Sequence, residues 1–198
     1  MAMTAAEPCF TVVLVGDEEF IAWAEPQIQG STSLLGIGSV GADQAVATAV
    51  GRAPDVVVIA DPPGPDGTSA AELSRQIGAT LAACRELLVA RDGATTDADS
   101  LIDAWVGGVI RFGSADLAEA IEQLGFGEAL LDQPLAAAVL ERHRAGRSPV
   151  ELSPTEHEVI TRLAAGDTPV VLAEEYAVTP RMVRLHASGP LARLHPGA

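Results

Sequence analysis

Apolar and polar positions along this chain follow two periods in turn. From Thr11 to Val15 the residues are apolar or β-branched without a break, as in a strand buried on both faces. Pro54-Asp55-Val56-Val57-Val58-Ile59-Ala60-Asp61 is the clearest run of this kind. Leu87 to Ala90 and Gly108 to Phe112 are two more, and Leu34 to Val40 is a glycine-broken fifth. Between them lie stretches of helical composition: Glu18 to Gln29, which Pro26 is expected to shorten, Ala42 to Arg52, Ser69 to Ala83, and Asp99 to Val106. Ser114 is expected to cap a further helix with Leu117, Ala118, Ile121 and Leu124 on one face. Strands alternating with helices predict a doubly wound α/β domain with a five-stranded parallel sheet. Ligand chemistry is then expected at the C-terminal ends of the strands. From Gly125 to Asp132 the pattern loosens. Pro134 to Ala145 reads as a linker helix, closed by Gly146 and Ser148-Pro149.

The last quarter changes character. Ser153-Pro154-Thr155-Glu156 joins an N-cap hydroxyl, a proline at the first helical position and a glutamate placed to bond back to the cap. Thr168-Pro169 and Thr179-Pro180 repeat the cap-then-proline pattern, and Tyr176 to Thr179 turns the second helix into the third. This is helix-turn-helix spacing and predicts a small all-α domain. On the third helix Val183, Ala187 and Leu191 fall on an inward face. Arg181, Arg184 and Ser188 share another, which suits a helix reading guanine edges or phosphates in a major groove. Thr179 joins them as a contact to phosphate or base edge. Gly189-Pro190 argues against one continuous helix, because Pro190 removes the bond to the His186 carbonyl; the expected helix ends at Ser188, followed by a short turn to His195.

Charge sharpens the division. The chain has 198 residues and a formal net charge of −15, which by itself disfavours nucleic acid. Residues 1 to 140 hold 20 acidic and 5 basic side chains, whereas residues 141 to 198 hold 7 of each, so the acidity belongs to the first domain. No apolar run reaches the roughly 20 residues of a membrane span, and no basic-then-apolar signal opens the chain, so a cytoplasmic protein is expected. Cys9 and Cys84 have no C-x-x-C context and read as idle thiols. Gly36-x-Gly38-x-x-Gly41 matches a dinucleotide pattern only by spacing, and no nucleophile with a base is evident; no enzyme and no cofactor is expected.

Leu152-Ser153-Pro154, Glu156-x-Glu158-Val159, Leu163-Ala164-Ala165-Gly166, Leu172-Ala173-Glu174 and Thr179-Pro180-Arg181-Met182-Val183-Arg184-x-His186 resemble the LuxR/NarL-type helix-turn-helix. The strand order of the first domain, with Pro54-Asp55-Val56-Val57 followed by Pro65-Asp66-Gly67, resembles a flavodoxin-like response-regulator receiver. The resemblance implies an atypical receiver over residues 10–126, a linker over 127–149 and a DNA-binding module over 150–198, truncated before the family's fourth helix. It also implies a homodimer on a palindromic promoter, or a heterodimer with another regulator.

In that family a receiver is phosphorylated at a metal-assisted site, with two acidic residues after the first strand, an acceptor aspartate ending the third, a hydroxyl after the fourth and a lysine after the fifth. Here Gly16 stands at the first acidic position and only Asp17 remains. Ala60 stands at the acceptor position with Asp61 one residue late. Ala90 or Val89 replaces the hydroxyl, and Phe112 or Arg111 the lysine. The resemblance therefore implies a degenerate pocket at Gly16, Asp17, Ala60, Asp61, Ala90 and Arg111, and regulation without phosphorylation. Asp17 and Asp61 read as a weak Mg²⁺ site or as two solvated carboxylates. Re-use of the pocket for a small molecule under a Pro62–Gly67 lid is a further expectation. The alternative function is a partner-dependent regulator that pairs with another regulator and does not bind DNA alone. The acidic balance, the Gly189-Pro190 break and the missing fourth helix favour it, and Glu174 and Glu175, close to where a phosphate would pass, weaken the expected affinity for DNA.

Overall fold

Five parallel strands, β1 (Phe10–Val15), β2 (Leu34–Val40), β3 (Val56–Asp61), β4 (Arg85–Ala90) and β5 (Gly108–Arg111), hydrogen-bond in the order β2-β1-β3-β4-β5. The computed structural model describes residues 10–64, 68–91, 97–104, 106–113, 116–148 and 150–194; the Ser114 cap and the Pro65–Gly67 part of the lid lie outside them. β3 sits at the centre and every one of its side chains is buried, as its unbroken apolar run requires. One face of the sheet is covered by α1 (Glu18–Gly30) and α5 (Leu117–Gly125), which set Phe20, Ile28, Leu117 and Ile121 on Val12, Leu14, Val56 and Val58. The other face meets α2 (Ala45–Arg52, entered through a 3-10 turn at Ala42–Gln44), α3 (Ala70–Thr80) and α4 (Ala98–Asp103). Pro26 does not shorten α1, which runs on to Gly30. The proline is exposed, as is Ala22, so the carbonyl that loses its helical partner lies on the solvent side, while buried Ala24 and Ile28 hold the helix to the sheet.

The stretch after α5 is not loose. Gly127, at φ +83°, turns the chain so that Glu128 and Ala129 become buried. Leu130 then bridges to Gly108, with Leu130 N–H donating to the Gly107 carbonyl at 3.0 Å. The physical reason is the bare edge that β5 would otherwise present. Nor is the next helix, α6 (Gln133–Arg144), a tether. Its Leu135, Ala136, Val139 and Leu140 join one apolar cluster with Leu101 and Ile102 of α4 and with Val159 and Ile160 of α7 (Pro154–Ala164). Arg142 adds ion pairs to Asp99 at 2.7 Å and Asp103 at 2.6 Å. Among the described residues no helix is long and apolar enough to cross a membrane.

α7, α8 (Pro169–Glu175) and α9 (Pro180–Leu194) form the three-helix module. Both halves of the capping box at Ser153 and Glu156 are made. α9 corrects the expectation of a break: it is continuous through Gly189-Pro190 to Leu194. A proline inside a helix costs about 3 kcal/mol, and tertiary contacts offset it. Val183, Ala187 and Pro190 are buried. Arg193 in the last turn grips Glu156 through Nη1 at 2.8 Å and Nη2 at 2.9 Å, and donates to the Glu151 carbonyl at 3.1 Å. A side chain at Gly189 would run into the Glu156 carboxylate, so this glycine is what lets α7 and α9 approach.

Glu156 thus caps one helix and anchors the far end of another. Arg193 first, then the Ser153 bonds, hold its carboxyl down at about 2. A depressed folded value means stability that is present above the unfolded carboxylate range and lost as pH falls toward 2. Glu156→Gln is expected to cost about 2 kcal/mol at pH 7 and nothing near pH 2. Thermal unfolding followed across that pH range checks it.

Candidate functional site

Two places carry the residues singled out by sequence, and both are engaged by partners that sequence reading had not paired with them. At the C-terminal end of the sheet the register sets Asp61, Ala90 and Arg111 on one level. Gly16 follows β1 and is packed so closely that a Cβ there would overlap the Phe20 ring and press on the Ala60 Cβ at 3.1 Å. An acid cannot be restored at that position without moving Phe20. Asp17 caps α1 by accepting from Phe20 N–H at 2.9 Å, and Arg91 closes on it with two bonds of 2.6 Å, one to each carboxylate oxygen. Arg91 holds the Asp17 carboxyl down at about 2. The same guanidinium lies 5.0 Å over the Phe112 ring, which in turn packs on Trp23 at 4.8 Å.

A divalent metal needs several oxygen ligands, and these residues do not fit it. Both Asp17 oxygens are bound by a cation, Gly16 brings no ligand, and among the described residues no group of three acidic, His or Cys side chains could hold an ion. Asp61, at the end of β3, is buried rather than solvated, and Arg111 is exposed. Phe112 stands beside Arg91. Arg91 was missed by sequence reading, although it directly follows β4, at the end of the sheet where chemistry was expected. Cys84 is buried, its thiol pushed up to about 12 by burial, as an idle thiol would be.

The second place is the exposed start of α9. Thr179 accepts from Met182 N–H at 3.3 Å, so it serves as the helix cap and stays exposed. Arg181 and Arg184 both turn to Glu128, in the buried stretch after α5, at 3.1 and 2.6 Å. Glu128 is only 3% exposed. Arg181 also lies 5.4 Å over Phe126. Ser188 is buried: its Oγ accepts from Ala129 N–H and donates to the Arg184 carbonyl at 2.6 Å. The structure therefore brings Arg181, Arg184 and Ser188 together, as their helical spacing requires, but on a face occupied by the chain's own connector. Glu128 had no local signal in the sequence. Its two partners lie more than 50 positions away.

The outward face of α9 holds Met182 and Leu185, exposed by 46% and 42%. All four arginines of residues 150–194 lie in ion pairs: Arg162 with Asp167 and Glu175, Arg181 and Arg184 with Glu128, and Arg193 with Glu156. Glu175, expected to repel a phosphate, is bound to Arg162 at 2.8 and 3.0 Å.

No family model matches the chain and no curated protein matches it. Solved structures do. The response regulator ChrA of a heme-sensing two-component system is 18% identical over 91% of this chain and 87% of its own, with a TM-score of 0.53. RcsB from Salmonella enterica serovar Typhimurium, bound to promoter P1flhDC, is 15% identical over 94% of this chain and 92% of its own, with a TM-score of 0.54. A two-component response regulator of the LuxR family from Aurantimonas sp. SI85-9A1 is 19% identical over 68% of this chain and 98% of its own, with a TM-score of 0.55. At these identities the likeness is one of fold: the chain has the fold of a LuxR/NarL-type response regulator, a receiver followed by a helix-turn-helix module.

Proposed function

We propose that the chain is a DNA-binding transcriptional regulator that works without phosphorylation and whose reading helix is held shut by its own connector. The observation that carries this is the clasp of Arg181, Arg184 and Ser188 on Glu128 and Ala129. Two guanidiniums at helical spacing, at the start of the third helix of such a module, suit phosphate and guanine. Glu128 meets them with the charge and bidentate reach that a phosphate would offer. DNA and the connector then compete for one set of donors, and whatever loosens the connector switches the protein on. A homodimer on a palindromic promoter is the assembly this reading entails.

Independence from phosphorylation rests on Arg91. A guanidinium already bonded to both oxygens of Asp17 supplies the positive charge that a metal would bring and leaves no room for one. Incubation with Mg²⁺ and acetyl phosphate should leave the intact mass of the protein unchanged. A phosphoryl adduct on Asp61 would refute that part of the reading.

The exposed Met182 and Leu185 favour a second reading, in which the module pairs with another regulator and does not touch DNA unaided. Co-purification of a second, DNA-competent regulator separates the two.

A further inference from the structure

Gly36 and Gly38, left without a role by the dinucleotide pattern, shape a groove that shares no residue with the α9 clasp. β2 is the edge strand, bonded only to β1 among the described residues. Its register slips against β1: Val12 faces Gly36 and Val13 faces Gly38, leaving Ile37 as an extra residue. Ile37 turns to the apolar cluster on the α2 side, and Gly38 has Arg52 of α2 beside it. On the α1 side, Leu34, Gly36 and Ser39 remain. The missing side chain at Gly36 opens a groove of about 550 Å³ between β2 and α1, with Leu14, Ile28 and Leu34 at its base. Glu25 closes one end, accepting from Ser39 Oγ at 2.6 Å, and among the described residues no cation pairs with it.

We propose that this groove and strand edge take an extended segment of a partner protein in which apolar and basic residues alternate. β2 carries no charge and no proline, the two devices that usually guard an edge, whereas the edge at β5 is covered by Leu130. Backbone bonds to the free edge of β2 give the affinity, and the groove accepts one apolar side chain of the added strand. Glu25, which lines the groove and pairs with no cation among the described residues, selects an adjoining cation of the added strand. A second copy of this chain is the wrong occupant: residues 1–140 hold 20 acidic and 5 basic side chains, and a symmetric pair of edges would set two such surfaces together.

The test uses the full chain and a fluorescent, acetylated decapeptide of alternating arginine and valine, with a glutamate-valine peptide as control. Gly36→Leu fills the groove without strain, since a Cβ there meets only the Ile28 methyl at 3.6 Å. It should weaken binding about tenfold, and Glu25→Gln about threefold. Equal binding by Gly36→Leu would reduce the interaction to attraction by an acidic surface and overturn the proposal. So would binding of the control peptide, or self-association of the wild-type chain that Gly36→Leu abolishes. Should Gly36→Leu melt early, Glu25→Gln carries the same decision. None of these readouts involves DNA, so they stand apart from the clasp.

Discussion

Glu128→Ala is expected to raise the affinity of the full chain for duplex DNA by about 10- to 100-fold at low salt, the size of a coupling of roughly 1.4–2.7 kcal/mol. The reasoning starts from burial. Glu128 is almost fully buried, and Arg184, 18% exposed, is its closest partner. Removing the carboxylate leaves a half-buried guanidinium without its counter-charge, a state that favours opening toward water or phosphate. Arg181, more exposed, follows with a smaller gain. Two freed cations should also steepen the dependence of binding on salt by about two counterions. Adding Arg184→Ala to the variant should cancel most of the increase, because the two residues act through one contact. Affinity unchanged by Glu128→Ala would mean that the connector does not compete with DNA.

The second large effect concerns stability. Glu86, at the start of β4, is 2% exposed, and among the described residues its Oε1 has no hydrogen-bond partner. Burial pushes its carboxyl up to about 8, against a weaker opposing pull from Arg85. An acid whose folded value is raised is neutral in the fold and ionised in the unfolded chain at neutral pH. Its cost is therefore absent below the unfolded carboxylate range, grows as pH rises, and is complete near pH 8. Glu86→Leu should stabilise the protein by about 3 kcal/mol at pH 7–8 and by clearly less at pH 4. That trend runs opposite to Glu156→Gln, so a pair of melting curves at two pH values distinguishes the two carboxylates. A constant difference across pH would show that Glu86 is ionised in the fold.

Local chemistry made much of this protein readable in advance. Ser153 and Glu156 announced their capping box because both partners lie within one turn, and Thr168 accepts from Val171 N–H as its position before proline suggested. β3 was evident because a strand buried on both faces needs no partner to declare itself. Long-range pairs were not legible. Asp17 and Arg91 are separated by 74 positions, and Glu128 and Arg184 by 56; neither carries a spacing that marks the other. The continuity of α9 through Pro190 was misjudged for the same reason, since the contacts that offset the lost bond come from Glu156 on another helix. The gap between Gly125 and Asp132 looked like a linker because its burial depends on β5 needing a neighbour, which no window of sequence contains.

The most direct measurement is a low-salt selection from a pool of random duplexes, run in parallel on the wild-type chain and on Glu128→Ala, with the bound fraction sequenced. Both chains should enrich one palindromic sequence, the variant far more strongly, and Arg184→Ala should enrich none. Failure of the folded Glu128→Ala chain to enrich any sequence would contradict DNA reading by α9 and leave regulation to a partner protein.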